Sequence, residues 1–252
     1  MFYSGNIKFD IINDQISGCR CLTMKCDKRN CDCMIRSNYL YNENALICSP
    51  LYVETPIYEC NFNCACSCDC SNRLVQLNSK IKEISQIKNT NDNRGYGLFS
   101  NCDINKNSWV CNYEGEYITT EESAEREINY KIQYNHIYLL NFMTTFGNRV
   151  SAIHIDGGPY AFDNDDGCNV TLPYSGYINH SCNPNLMVVP IYVDNPNFPI
   201  LSLFSLKDIL LGEELTFSYC QGNESVTEFS DTPCLCSANN CRGFLPKFLS
   251  LS

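Results

Sequence analysis

The chain has 252 residues, a formal net charge of −10, 44% hydrophobic residues, 13 glycines, 10 prolines and 19 cysteines. This length is ample for a buried core, and so few glycines and prolines beside so many apolar residues exclude collagen-like and disordered chains. No apolar run approaches the roughly 18 residues that span a bilayer, and Met1 to Asp10 lacks the apolar stretch of a signal peptide, so a soluble, intracellular protein is expected.

Eleven of the cysteines lie between Cys19 and Cys70. They read Cys19-x-Cys21-x4-Cys26-x4-Cys31-x-Cys33, then Cys48, then Cys60-x3-Cys64-x-Cys66-x-Cys68-x-Cys70. Close Cys-x-Cys pairs are awkward for disulfides, whose geometry is strict, but suit metal thiolates. With Cys48 and Cys68 set aside, nine remain. Three tetrahedral zinc ions need about twelve metal–sulfur bonds, which nine thiolates supply when six are terminal and three bridge two metals each. A trinuclear zinc cluster is therefore expected, with reduced thiols or single zinc knuckles as the plainer alternative. Cys68 stands among these ligands as an alternative to Cys66 or Cys70.

From residue 74 the chain becomes Lys/Asn-rich, and 88–93 has the composition of a loop, placing a domain boundary at Asp92 or Asn93. Alternating apolar residues then recur at 96–99, 108–118, 137–143, 186–193, 199–205 and 214–219, which predicts a fold dominated by short strands. Thr119 with Glu122 forms a capping-box pattern that predicts a helix beyond it, and the polar run Asp163 to Gly167 predicts a loop. The chain closes with Cys234-x-Cys236-x4-Cys241, one ligand short of a closed structural zinc site.

The most specific stretches are Tyr177-Ile-Asn-His-Ser-Cys-Asn-Pro-Asn-Leu186 and Leu211-Gly-Glu-Glu-Leu-Thr-Phe-Ser-Tyr219. Arg94-Gly-Tyr-Gly-Leu98, Tyr113-Glu-Gly-Glu116, Ile57-Tyr-Glu-Cys-Asn61 and Asn72-Arg73 precede them. Over residues 18 to 246 the chain closely resembles the SET-domain lysine methyltransferases of the heterochromatin, histone H3 type, with their pre-SET and post-SET zinc modules. The resemblance implies a mostly β SET fold of small sheets with few helices. A loop-rich trinuclear zinc module would precede it and a zinc-bound tail would follow. The corresponding divisions are an N-terminal segment at 1–17, pre-SET and linker at 18–92, SET at 93–221 and post-SET at 230–247.

Carried over residue by residue, the resemblance makes Tyr219 the catalytic tyrosine and Tyr138 a second active-site tyrosine. Phe217 falls where the family sets the number of methyl groups added. Gly95, Tyr96, Gly97, Asn179 and His180 would bind S-adenosylmethionine. Cys19, Cys21, Cys26, Cys31, Cys33, Cys60, Cys64, Cys66 and Cys70 would hold three zinc ions, and Cys182 with Cys234, Cys236 and Cys241 a fourth. It also implies a histone H3 tail substrate methylated at its ninth-position lysine, a nuclear, chromosomal location and a partner that targets the chain to chromatin. Neither membrane nor sequence-specific nucleic-acid binding is implied. One departure is Gly176, where the family often has arginine; a catalytically weak or inactive chromatin adaptor is the alternative it supports.

The chemistry agrees with the residue types. Methyl transfer to an amine needs neutral lysine, whose pKa is about 10.4 in water. A desolvating channel beside a sulfonium lowers that value, so in-line positioning by hydroxyls and carbonyls suffices without a strong base. The acidic balance would steer a basic tail and disfavour DNA phosphates, although the same charge also confers solubility alone.

Overall fold

A computed structural model describes residues 2–8, 13–21, 26–37, 41, 56–76, 80–134, 137–146, 149–158, 160–162, 169–220 and 229–246. Strand β1 (Phe2–Tyr3) precedes helix α1 (Asp32–Arg36) and β2 (Ile57–Tyr58). Helix α2 (Ile81–Ile84) runs into β3 (Ser85–Asn89), followed by β4 (Tyr96–Ser100), β5 (Trp109–Asn112), β6 (Glu116–Ile118) and α3 (Thr120–Tyr134). Then come β7 (Leu139–Phe146), β8 (Arg149–Asp156), β9 (Tyr160–Phe162), β10 (Asn169–Thr171) and a 3-10 turn at Tyr174–Tyr177. The chain continues through β11 (Asn179–His180), β12 (Leu186–Tyr192), β13 (Ile200–Ser205), β14 (Thr216–Phe217), β15 (Phe229–Pro233) and β16 (Phe244–Pro246). The fold is mostly β, with three helices among the described residues, and none of them is long and apolar enough to cross a membrane.

The largest sheet is ordered β11-β14-β12-β13-β5, with β2 also on β12. Every residue of β12 is buried, as expected of a strand covered on both faces. Pro190 lies within this strand opposite Leu201 of β13. A second sheet is ordered β1-β6-β8-β7, and β3–β4, β9–β10 and β15–β16 form hairpin-like pairs. Leu98, Val110, Phe142, Ile155, Leu186 and Leu203 fill the core between the sheets. Full burial of each such side chain contributes about 1.5–3 kcal/mol. A separate apolar cluster, Ile57 and Val75 with Val189, Ile191 and Phe204, seats the cysteine-rich part on the back of β12 and β13.

The expected helix is α3, and its capping box is formed on both sides. Thr119 N–H donates to Glu122 Oε2 at 2.9 Å and Glu122 N–H to Thr119 Oγ1 at 3.2 Å. Glu122 also accepts from Ser4 Oγ and Asn6 Nδ2, stapling the N-terminal strand to the helix.

Two local expectations are corrected. Lys88 and Asn89 lie in β3 rather than in a loop, because β3 pairs with β4 from Ser85↔Ser100 to Asn89↔Tyr96. The boundary expected at Asp92 or Asn93 thus falls in the turn of this hairpin, where Asn91 and Asn93 have φ of 59° and 68°. The run 108–118 is two strands, since β5 and β6 belong to different sheets. The change of sheet runs through Gly115, where a Cβ would collide with the Asp156 carbonyl. Strand β8 carried no clear apolar alternation because buried His154 and Asp156 occupy one face. The expected loop at 163–167, like Cys48, lies outside the described residues.

Candidate active site

The site is built on the segment Ile178–Cys182, which lies in the large sheet beside β14 through Asn179↔Thr216 and His180↔Phe217. Ile178, Asn179 and His180 each have a different task. Ile178 O accepts the Tyr219 hydroxyl at 3.1 Å. Asn179 Nδ2 donates to Tyr96 O at 3.2 Å and to Glu214 Oε1 at 2.9 Å. His180 Nδ1 accepts the Tyr219 N–H at 3.1 Å, so the neutral ring carries its proton on Nε2, 3.4 Å from Cys182 Sγ. Burial, reinforced by Arg242, pushes His180 down to about 4, so the ring is neutral at pH 7.

Tyr138, Phe217 and Tyr219, distant in sequence, line one cleft with Tyr113, Ile137, Leu139, Leu140, Ser175, Gly176 and Ile178. It encloses about 310 Å³ of atom-free space, part of it open to solvent. Phe217 is 2% exposed and packs 4.9 Å from the Tyr219 ring and 6.2 Å from Tyr113, measured between ring centroids. Burial pushes the Tyr219 phenol upward, with Glu214 and Tyr138 adding to it, so its hydroxyl stays protonated near neutrality. Gly176 forms part of the wall, and a Cβ there would meet the Gly157 carbonyl at 3.3 Å. The wall is therefore tight behind Gly176.

The Gly95–Gly97 strand edge meets the same segment from the other side. Gly95 has φ of +81°, which favours glycine, and Tyr96 is 58% exposed. A Cβ on Gly97 would meet Glu214 Oε1 at 2.6 Å and Asn179 Nδ2 at 2.9 Å. Glu214 is the hub that residue typing missed. It accepts Asn179 and both terminal nitrogens of Arg94, at 3.1 and 2.9 Å, while Arg94 is also clamped by Asp92. Arg94 holds Asp92 at about 2, well below the usual carboxylate range. The visible signal was the Gly-Glu-Glu motif; its second carboxylate ties Asn179, which also donates to the Tyr96 carbonyl, to Arg94.

The cysteines gather in two places. Sγ atoms lie within 4.8 Å of one another in the sets Cys19/Cys31/Cys33/Cys60, Cys19/Cys21/Cys26/Cys31 and Cys19/Cys26/Cys60/Cys66. Cys64 joins through Cys33 at 3.6 Å and Cys70 through Cys60 at 4.0 Å. Cys26 and Cys60 are 3.7 Å apart. A tetrahedron with Zn–S bonds of about 2.3 Å puts its sulfurs about 3.8 Å apart, whereas a disulfide brings them to about 2.0 Å. Cys68 is exposed while Cys66 and Cys70 are buried, which leaves Cys68 outside the cluster.

Crowding sets the thiols against one another. Hydrogen bonding with Cys60 holds Cys33 at about 6 and Cys70 at about 4, while Cys33 and Cys70 drive Cys60 far above the thiol range. Divalent cations would let all of them ionise together, so donor set and spacing both fit zinc. Cys182, Cys234, Cys236 and Cys241 form the second set, with Cys182 and Cys234 sulfurs 4.0 Å apart. Asn240 Nδ2 donates to Cys182 O and Arg242 N–H approaches Cys182 Sγ, so the C-terminal tail is pinned beside His180.

A channel-lining tyrosine pair, an Asn-His segment and flanking cysteine sets on small sheets define the SET-domain class. Residues 95–220 match the family model "SET domain", and the chain belongs to that family. It is 33% identical over 258 residues to Histone-lysine N-methyltransferase SUV39H2 of Xenopus tropicalis, an alignment that takes in 96% of this chain and 58% of that protein. It is 32% identical to Histone-lysine N-methyltransferase SETMAR of Rattus norvegicus, with 93% of this chain and 73% of that protein covered. The solved Neurospora SET domain protein DIM-5, a histone lysine methyltransferase, superposes with a TM-score of 0.68 at 27% identity, covering 93% of this chain and 90% of that one. The chain thus spans a little over half the length of the SUV39H2 relatives it matches.

Proposed function

We propose that the chain is a protein lysine N-methyltransferase using S-adenosylmethionine, acting on the ninth-position lysine of histone H3 and adding two or three methyl groups. The observation that carries this reading is the convergence of Tyr138, Phe217 and Tyr219 on one cleft whose wall continues into the Asn179–His180 segment. Bound S-adenosylmethionine supplies an electrophilic methyl group on a sulfonium. The Gly95–Gly97 edge, with Asn179 and His180, would hold it.

The chain's own residues do the rest. Ile137, Leu139, Leu140, Ile178 and Phe217 desolvate an entering ammonium and lower its pKa, so the amine arrives neutral without a general base. The Tyr219 hydroxyl stays protonated and, held on Ile178 O, acts as an orienting dipole rather than a proton acceptor. Phe217 offers no hydroxyl to restrain a methylated amine, which supports multiple transfers. The nine clustered cysteines would hold three zinc ions and the C-terminal set one, the latter fixing the tail over the site. The reading places the protein on chromatin in the nucleus, with the histone H3 tail as substrate and a further protein for targeting.

Labelled S-adenosylmethionine with H3 peptides, each with one lysine replaced by alanine, tests it. Transfer to the wild-type peptide and loss only with the ninth-position variant is the expected result. Transfer that survives that replacement overturns the site. No transfer to any peptide, with donor bound and about four zinc ions per chain, favours the adaptor alternative.

A further inference from the structure

We propose that Tyr130 and Asp156 form a latch through which helix α3 positions Tyr138 in the cleft wall; the inference rests on the methyltransferase reading. Tyr130 Oη reaches both carboxylate oxygens of Asp156, at 2.8 and 3.0 Å. Asp156 is only 3% exposed, and it also accepts Arg126 Nη1 at 2.6 Å and the Gly158 N–H at 2.8 Å. Arg126 and Tyr130 are one helical turn apart, so a single buried carboxylate fixes the rotation of α3 at two points. Glu116 of β6 shares Arg126 at 2.7 Å, so two neighbouring strands of the second sheet, β6 and β8, hold the helix.

The latch touches Tyr138 twice. The Tyr130 ring stands edge-on to the Tyr138 ring, with centroids 5.5 Å apart at 79°. Gly157, the residue after Asp156, donates its N–H to Tyr138 O at 2.9 Å. That carbonyl also accepts the Tyr113 hydroxyl at 2.9 Å, and Tyr113 lines the cleft. Gly158 is part of the device, since a Cβ there would overlap the Tyr130 hydroxyl. Tyr130 and Asp156 do not line the cleft themselves. They are positioning residues that reach the amine only through Tyr138, and a wall residue displaced by a fraction of an ångström is felt in the rate.

Tyr130→Phe removes the hydroxyl and keeps the ring contact; Gly158→Ala pushes the hydroxyl off Asp156 and removes no hydrogen-bonding group. In the zinc-loaded full chain, both are expected to lower kcat about tenfold, with donor affinity and melting temperature close to wild type. Both should also speed amide exchange at 138–140 and 157 without changing exchange in β12 and β13. Unchanged kcat in an active enzyme overturns the latch, as does a loss of protection spread equally over β12 and β13. If the wild type transfers no methyl group, the activity reading fails by itself. The exchange arm then still decides whether Tyr130 and Asp156 hold Tyr138.

Discussion

Cys31 and Cys60 are as deeply buried as Leu186 and Leu203, all with no measurable exposure, yet burial does opposite things to the two pairs. For the leucines, removal from water is the stabilising force, and the sheet holds itself once formed. For the thiols it is a cost: without a cation several ionisable sulfurs crowd together, and among the described residues the surrounding segments include only α1 and β2 as regular elements. On the zinc reading, the sheet region is stable through its own contacts, while the cysteine region adds a ligand to the apolar and hydrogen-bond contacts that seat it on β12 and β13. The C-terminal set lies between these cases. Its sulfurs are only partly buried apart from Cys234, and its main effect is to tie the tail to Cys182 next to the site.

The largest test of that contrast is metal removal. Chelation of zinc, with site energies of about 10–16 kcal/mol at stake in small structural zinc sites, is expected to expose amides in 56–76 while β12 and β13 stay protected. Equal loss in both regions would break the distinction. A second test removes the Tyr219 hydroxyl. Tyr219→Phe should lower kcat by about a hundredfold while zinc content and donor affinity are retained, separating chemistry from scaffold.

Leu203→Ala, in the centre of β13, should cost about 2–5 kcal/mol of stability in denaturant unfolding and leave the zinc count unchanged. Loss of zinc in that variant would mean that the two regions are one cooperative unit. Acid sharpens the same point. Asp92 has a folded pKa lowered to about 2 by Arg94, so its contribution is present above about pH 4 and is lost only as pH falls toward 2. Thiolate ligands exchange metal for protons earlier. Titration from about pH 7 to about pH 4 should therefore release zinc before it disturbs the Asp92–Arg94 hairpin, read by a zinc indicator and amide exchange. The smallest effect expected is qualitative. Phe217→Tyr should move the product toward monomethyl-lysine in mass spectra, with total turnover changed by about tenfold or less.

How much was legible in advance follows the distance between partners. Asn179 and His180 are adjacent, Gly95 and Gly97 share one strand edge, and the α3 capping box spans three residues; such features carry their own local signal. The thiol clusters were legible because cysteine in close pairs has few other uses. Strand β8 was not, since His154 satisfies its ring through Asn141 and Thr120, and Asp156 through Arg126 and Tyr130, partners outside the strand.

Residue order alone therefore reached the class of fold and the close cysteine spacing, and through the family resemblance it pointed to the tyrosines and the Asn-His segment, because periodicity, spacing and motif are properties of neighbouring residues. Only the folded chain decided that Glu214 joins Arg94 to Asn179, that Cys68 stays outside while Cys66 and Cys70 go in, and that Tyr130 grips Asp156 behind Tyr138. Those pairings bridge from 26 to 120 positions of chain. A carboxylate buried at such a distance finds its cation or hydroxyl only when the sheets have closed around it.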